Sequence, residues 1–276
     1  FDCVLVVDAD TRVAENFIVV AGSVLRGGAA AVQSRYLVDN PGETLRTRLM
    51  GLALRAFNVV RPLGRERLGL SAGIFGNGFG LRRETIEAVP YTASSVVEDL
   101  EYHLALVRAG RRVEFLNQTT VFGEMPVQSK AVKTQRSRWE GGRLRMLIAK
   151  SPGLMADVLR GRLRCVEPLL ELLLLPLAFH VVLLVVCVAT PVPVVRGLGE
   201  AGIAIVLLHL IAAIIAGGGD WHDVAALGAA PFYVLWKVLL IPSLLRSARS
   251  EQEWVRTKRN ADSQSTAPHD EGIGKS

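Results

Sequence analysis

The sequence predicts an α/β layer domain over residues 1–165, an apolar helical region over residues 166–246 and a polar tail over residues 247–276. Three observations carry that prediction. Strand-like and helix-like segments alternate through the first part, the pattern of helices packed on a sheet. Charged residues are spread evenly up to Arg164 and become sparse from Glu167 to Leu245. The 276 residues are 50% apolar, an ordinary globular fraction, so the distribution and not the mean separates the two parts.

The elements follow in order. Residues 3–7 form a continuous Val-rich run, as expected of a buried, parallel-type strand. The chain opens on Phe1 with that strand already under way and no basic n-region, so its natural start is expected upstream. Residues 15–25 suit a helix and residues 29–36 a second strand. Residues 43–59 place Leu45, Leu49, Leu52 and Ala56 at helical spacing. Residues 94–109 read as a helix ended by Gly110, residues 112–116 as a strand, and residues 127–149 as a basic amphipathic helix. No internal repeat is evident.

Residues 168–190 have Glu171 and His180 as their clear polar interruptions. At about 1.5 Å per helical residue they reach roughly 34 Å, enough for a bilayer core of about 30 Å, with Pro176 as a possible kink. Residues 201–218 make a second candidate span. Residues 224–245 make a third, weakened by Pro231, Lys237 and Pro242, which reads as a span or as an interfacial helix. Two full spans return the basic tail to the side favoured by the positive-inside tendency. The expectation is a multi-pass membrane protein with its α/β domain in the cytoplasm and a disordered tail end.

The net charge of +6 is clustered. Residues 130–150 hold Lys130, Lys133, Arg136, Arg138, Arg143, Arg145 and Lys150 against the single acid Glu140, and Arg246 to Arg259 form a second group. Because these groups bracket the apolar region, they point to anionic membrane lipid and not to nucleic acid. Cys3, Cys165 and Cys187 are odd in number and far apart, without metal-ligand spacing, so no disulfide framework is expected and the domain reads as facing a reducing compartment.

Four motifs carry chemistry. Asp8-Ala9-Asp10 ends the first strand, and residues two apart in extended chain point the same way. Two carboxylates at that place suit a hard divalent cation that keeps water and substrate oxygens; a strand-ending turn with Asp10 or Thr11 capping the next helix explains them too. Glu98-Asp99 begins a helix. Ser95 and Glu98 have capping-box spacing, and Asp99 is either a first-turn acid favoured by the helix dipole or a general base. Gln135, Arg138 and Trp139 fall on adjoining helix faces, suited to phosphate and sugar or to the membrane surface. Gly73 to Gly80 is glycine-dense, either a tight turn or a close approach to ligand.

In this order the motifs resemble the processive inverting glycosyltransferases of family two, the synthases of cellulose, chitin, hyaluronan and poly-N-acetylglucosamine. The likeness rests on Asp8-Ala9-Asp10, Glu98-Asp99, Gln135-x-x-Arg138-Trp139, the apolar spans and the terminal Glu253 to Arg259 segment. It implies a partial GT-A-type nucleotide-sugar transferase domain followed by transmembrane helices. Asp8 and Asp10 would hold Mg²⁺ or Mn²⁺ and the diphosphate of a nucleotide-diphosphate sugar, Asp99 with its neighbour Glu98 would supply the base, and Trp139 would line the acceptor end with Gln135 and Arg138 near the diphosphate. The family's nucleotide-binding strands precede its metal motif, so the likeness also implies sequence upstream of Phe1, and Val97 stands where the family often has Thr. A growing polysaccharide is the implied acceptor. The alternatives are a transferase acting on a lipid or other single acceptor, and a non-catalytic membrane protein with a remnant domain.

Overall fold

The computed structural model describes residues 1–93, 95–125, 129–174, 176–239 and 241, apart from the side chains of residues 129–138. The tail at residues 247–276, with the Glu253 to Arg259 likeness, lies outside the described residues.

A five-stranded mixed sheet organises the first half. Its strands are β1 (Cys3–Val6), β2 (Arg12–Val13), β3 (Ala31–Val38), β4 (Phe79–Arg82) and β5 (Val113–Gly123), in the order β1-β4-β3-β5-β2. Only β3 and β5 run parallel; the other pairs are antiparallel. This corrects the expectation for the first strand. β1 is a half-buried edge strand antiparallel to β4. Its unbroken apolar run has another cause: Leu5 packs with Ala21 and Leu25 on one face, and Val6 packs with Ile74 and Phe79 on the other. A strand covered on both faces reads the same whichever way its neighbour runs.

Helix α1 (Phe17–Arg26) buries Phe17, Ala21 and Leu25, one residue per turn, against the sheet. Helix α2 (Leu45–Arg55) starts with a reciprocal cap in which Thr44 Oγ1 accepts from the Thr47 N–H at 3.0 Å and Thr47 Oγ1 accepts from the Thr44 N–H at 2.9 Å. A π-helical turn at Ala56–Val60 joins it to α3 (Arg61–Arg67). A short α4 (Arg83–Ala88) follows β4 directly. Helix α5 (Glu98–Arg108) begins at Glu98 with Val97 as its N-terminal flank and no side-chain cap, so the expected Ser95–Glu98 capping box does not form.

Helix α6 (Ser129–Leu159) is ten residues longer at its C-terminal end than expected and carries Pro152 inside it. Met146 and Leu154 of α6 pack against Leu104 of α5 and against Cys165, Leu169 and Leu172 beyond it.

The apolar region departs from the expected spans. Residues 168–190 are not one rod: α7 (Val166–Leu173) and α8 (Leu177–Ala189) break around Pro176, and the axes of Leu163–Leu173 and Leu177–Ala189 differ by 78°. Pro176 cannot continue a helix from its N-terminal side, and Leu174 is extended. Glu171 faces protein: it is 6% exposed, with its carboxylate 2.9 Å from Arg65 and 3.4 Å from Arg61 of α3. Helix α9 (Pro193–Ala216) contains most of the second expected span and, among the described residues, is the one continuous helix long and apolar enough to cross a bilayer, with a mean hydropathy of 2.3. Residues 224–245 split into α10 (Trp221–Ala226), a 3₁₀ turn at Leu227–Ala229 and α11 (Ala230–Val238), with no continuous span among those described. Asp223 anchors this segment to α2 through Arg55 at 2.5 Å, and Lys237 pairs with Glu140 of α6. Ion pairs of Glu171, Asp223 and Lys237 thus tie these segments to the α/β domain.

Candidate active site

The loop after β1 is built by hydrogen bonds that begin on the glycine-rich segment before β4. The Asp8 N–H donates to Asn77 Oδ1 at 3.2 Å, and Asn77 Nδ2 donates to Thr11 Oγ1 at 2.6 Å. Thr11 N–H closes a turn on the Asp8 carbonyl at 3.0 Å. Asn77 is 2% exposed and is itself held by Gln33 of β3, whose amide donates to the Asn77 carbonyl at 2.9 Å and accepts from the Phe75 N–H at 3.0 Å.

Glycine is required at two points of this segment. Gly78 has φ +70°, and a Cβ there would lie 2.5 Å from both Ser34 Oγ and Val121 Cγ2. Gly76 has φ +77°, and a Cβ there would lie 3.5 Å from Asp99 Oδ2, so the Asp99 carboxylate rests against bare backbone. The segment thus touches Asp8 through Asn77 and Asp99 through Gly76. One loop sets the spacing of carboxylates that are far apart in sequence.

Asp8, Asp10, Glu98, Asp99 and Trp139 all line one cavity of about 1510 Å³. Gln135 and Arg138 fall on α6 in the turn before Trp139, and their side chains lie outside the described residues. Burial raises the Asp8 carboxyl, and the charges of Asp10 and Glu98 raise it further. Burial likewise pushes Asp99 up to about 6, with Glu98 adding to it and the Leu100 N–H opposing it through a 2.7 Å hydrogen bond. Tyr36, beside Asp8, is pushed up to about 12 by burial and then by the Asp8 charge, so it stays a neutral hydroxyl. Trp139 packs its ring with Val38, Met50 and Met125 while keeping an edge on the cavity.

Further along the cavity wall lie Arg61, His103, Arg143 and Glu171. Burial drives His103 down to about 4, so its ring is neutral, with Nε2 2.9 Å from Ser71 Oγ. Asn77, Gln33, Tyr36, Arg61, Arg143 and Glu171 escaped the sequence reading as site residues. Two signals pointed at them: the glycine density around Asn77, and the isolated acid Glu171 in an apolar run.

The donor set around β1 also tests the implied cation. Among the described residues no group of three or more His, Cys, Asp or Glu side chains is placed to enclose a metal. Asp8 and Asp10 are two carboxylates whose mutual repulsion a cation relieves. Mg²⁺ is commonly held by one or two carboxylates together with water and substrate phosphate, so this pair fits such an ion when a diphosphate completes it.

Comparison with known proteins decides the family. Residues 3–241 match the family described as "Glycosyl transferase family group 2". The chain belongs to that family. Most of the described chain, from the first strand to the end of the helical region, falls within that match. The chain is 29% identical over 145 residues to "Probable glucomannan 4-beta-mannosyltransferase 1" of Arabidopsis thaliana, covering 51% of this chain and 26% of that protein. It is 27% identical over 144 residues to "Probable glycosyltransferase YdaM" of Bacillus subtilis (strain 168), covering 51% of this chain and 34% of that one. The matched part thus spans about a quarter to a third of the length of these relatives.

Proposed function

We propose that the transferase works at a membrane and moves a sugar, with inversion, from a nucleotide-diphosphate sugar to a hydroxyl of a carbohydrate acceptor. The observation that carries this is the meeting of Asp8, Asp10, Asp99 and Trp139 on one cavity, with Asp99 the buried acid raised to about 6. A carboxylate of that basicity is still about ten-to-one ionised at pH 7 and is a stronger base than an ordinary Asp.

In the proposed reaction, Asp99 accepts the proton of the acceptor hydroxyl while that oxygen bonds to the anomeric carbon. The bond from that carbon to the diphosphate breaks, and its electron pair leaves with the nucleoside diphosphate. One displacement inverts the anomeric configuration. Trp139 offers a flat apolar face to the acceptor sugar. Gln135 and Arg138 are assigned to the leaving diphosphate, Arg138 as a bidentate donor. Mg²⁺ or Mn²⁺ held by Asp8 and Asp10 supplies charge neutralisation on the diphosphate. Glu98 keeps the local field negative, which raises Asp99 and strengthens the site's demand for a cation.

Membrane association is supported by α9, whose Ile205, Leu208 and Ile215 are 66%, 66% and 77% exposed, unlike the helix of a packed core. Exposed apolar surface of this kind needs lipid or protein to cover it.

The test is release of nucleoside diphosphate by the membrane-embedded protein with and without divalent cation. Chelation and Asp8→Ala or Asp10→Ala are expected to weaken donor binding and turnover together. Full activity in chelator removes the ion from the reaction, and full activity of both variants removes the carboxylates.

A further inference from the structure

The cavity carries a second group of charges, on the wall formed by α3, α6 and α7. Arg61, Arg143 and Glu171 line it there, and Arg65 completes the cluster behind the lining. The three guanidinium groups are not equally committed. Arg65 donates to the Ala72 carbonyl at 3.2 Å and to Glu171 at 2.9 Å, and it pairs with Glu167 at 2.5 Å. Arg143 donates to the Glu171 main-chain carbonyl, with its other terminal nitrogen 3.9 Å from the Glu171 carboxylate.

Arg61 donates a hydrogen bond to no group among the described residues. It stands 3.4 Å from Glu171 Oε1 as an ion pair, and its guanidinium carbon lies 4.4 Å from the centre of the Phe57 ring. A rigid fork of five N–H donors is thus held in place with its hydrogen bonds unmade. The backbone brings it there by an unusual route. The π-helical turn Ala56–Val60 runs straight into Arg61, and Ala56, Phe57 and Asn58 of that turn line the cavity with it. Such turns are rare and frequently lie at functional sites.

The charge on this wall is not fully answered. Three arginines share two acids, Glu167 and Glu171, while His103 is neutral and Lys237 is paired with Glu140. Burial pulls Arg61 and Arg143 below their ordinary value, so both charges are poorly hydrated where they stand.

Position decides which substrate meets the wall. Glu98 acts on both Asp8 and Asp99, whereas Glu171 acts on Asp99, so Asp99 stands between the Asp8 end of the cavity and the arginines. In the transfer reaction proposed above, the diphosphate lies at Asp8 and Asp10 and the acceptor hydroxyl at Asp99. An in-line displacement puts the acceptor on the side away from the diphosphate, which is the side of Arg61.

We infer that Arg61 is a specificity residue that binds an acidic group of the acceptor sugar, a carboxylate or a phosphate ester, on the wall it shares with Arg143. The inference rests on the transfer reaction proposed above and names its acceptor class. A guanidinium fork matches either anion with paired hydrogen bonds, whereas a neutral hydroxymethyl group leaves the buried charge unanswered. A pyranose carries such a charge on its exocyclic carbon without giving up a ring hydroxyl, and the anion is assigned to that carbon.

The experiment uses the full chain in phosphatidylcholine bilayers with a donor that supports nucleoside diphosphate release. Acceptors are the methyl glycosides of glucose, mannose and galactose, the corresponding uronates and the corresponding 6-phosphates. At least one acid is expected to show a KM about 10- to 100-fold below its neutral parent, the size of a charge-assisted hydrogen-bonded contact, and the acid that gains more names the source of the charge. Arg61→Met should erase that ratio while leaving kcat and the KM for neutral acceptors within about threefold. Arg61→Lys, which keeps the charge without the fork, should reduce the ratio by at least about threefold, and it carries the test if the Met variant does not fold. A merely structural role lowers stability and turnover for all acceptors alike and leaves the ratio in place, and that result overturns the inference. Equal KM for acid and neutral acceptors, preference for the neutral ones, or no response to any of them overturns it while nucleoside diphosphate release leaves the transfer reaction standing. Absence of nucleoside diphosphate release with every acceptor overturns both.

Discussion

Replacing Asp99 by Asn separates the chemical role of this carboxylate from its structural one. The substitution keeps size and the Leu100 N–H acceptor but removes the charge and the proton-accepting capacity. Its effect on turnover is expected to be the loss of general-base catalysis, about 10²–10⁴-fold in kcat, with donor affinity changed less than about threefold. Its effect on stability runs in the opposite direction. Asp99 is raised from 3.8 to about 6, so its charged form is disfavoured in the fold. A carboxyl raised in this way is fully compatible with folding below its unfolded value, and that compatibility is lost as pH rises through about 6. At pH 7 the shift corresponds to at most about 3 kcal/mol, and less because the group opens on a water-accessible cavity. Asp99→Asn is therefore expected to be inactive and more heat-resistant at pH 7, with the stability gain vanishing below pH 4. The wild-type rate should hold above pH 7 and fall about tenfold per unit well below 6. Nucleoside diphosphate release across pH, calorimetric donor binding and thermal unfolding measure the three quantities. A variant that keeps a tenth or more of wild-type turnover, or that retains the acid limb of the rate profile, refutes the base assignment.

Other consequences follow from the same geometry. Asn77→Ala removes an acceptor from the Asp8 N–H and a donor to Thr11, and is expected to raise the half-saturating metal concentration about 10- to 100-fold, as loss of a supporting partner commonly does; metal titration of donor binding checks it, and an unchanged midpoint contradicts it. Glu171→Gln leaves Arg61 without its acid and Arg65 with Glu167 alone, and should destabilise by about 3–5 kcal/mol, whereas Arg83→Ala at an exposed pair barely moves the unfolding midpoint. Gly78→Ala forces Ser34 or Val121 to move and should lower both stability and activity, while Gly64→Ala, with open space and ordinary helical backbone, should do neither. Equal unfolding midpoints for the two Ala variants contradict the close-packing argument.

Much of the sheet domain was legible because its signals are local. The helical spacing of Leu45, Leu49 and Leu52 in α2 and the Gly110 end of α5 each mark an element by nearby chemistry. Strand direction was not legible, because an apolar run covered on both faces looks alike in parallel and antiparallel pairs, and β1 proved antiparallel. β4 was missed for a related reason: Phe79 to Arg82 is short and contains Gly80, which propensity reads as a turn. In the site, the acids stood out as residue types, but their meeting depends on Asn77 and Gly76, whose contacts link positions 69 and 23 residues apart. The spans were legible as apolar stretches but their breaks were not: among the described residues one continuous helix is long enough to cross a bilayer, or two if the bent pair counts as one span. Glu171 read as an interruption and Lys237 as a weakening of apolar helices, and each is the buried end of an ion pair to the α/β domain. Hydropathy counts such residues and says nothing of the Arg or Glu waiting opposite.

The proposed reaction is a single displacement at the anomeric carbon with Asp99 as the one base. The anomeric configuration of the first product formed, read by NMR before mutarotation or further transfer, tests it most directly. A product of configuration opposite to the donor's is expected, in wild type and in the residual activity of conservative variants. A product that retains the donor's configuration requires a second displacement and a nucleophile that this site assigns to no residue, and it contradicts the account.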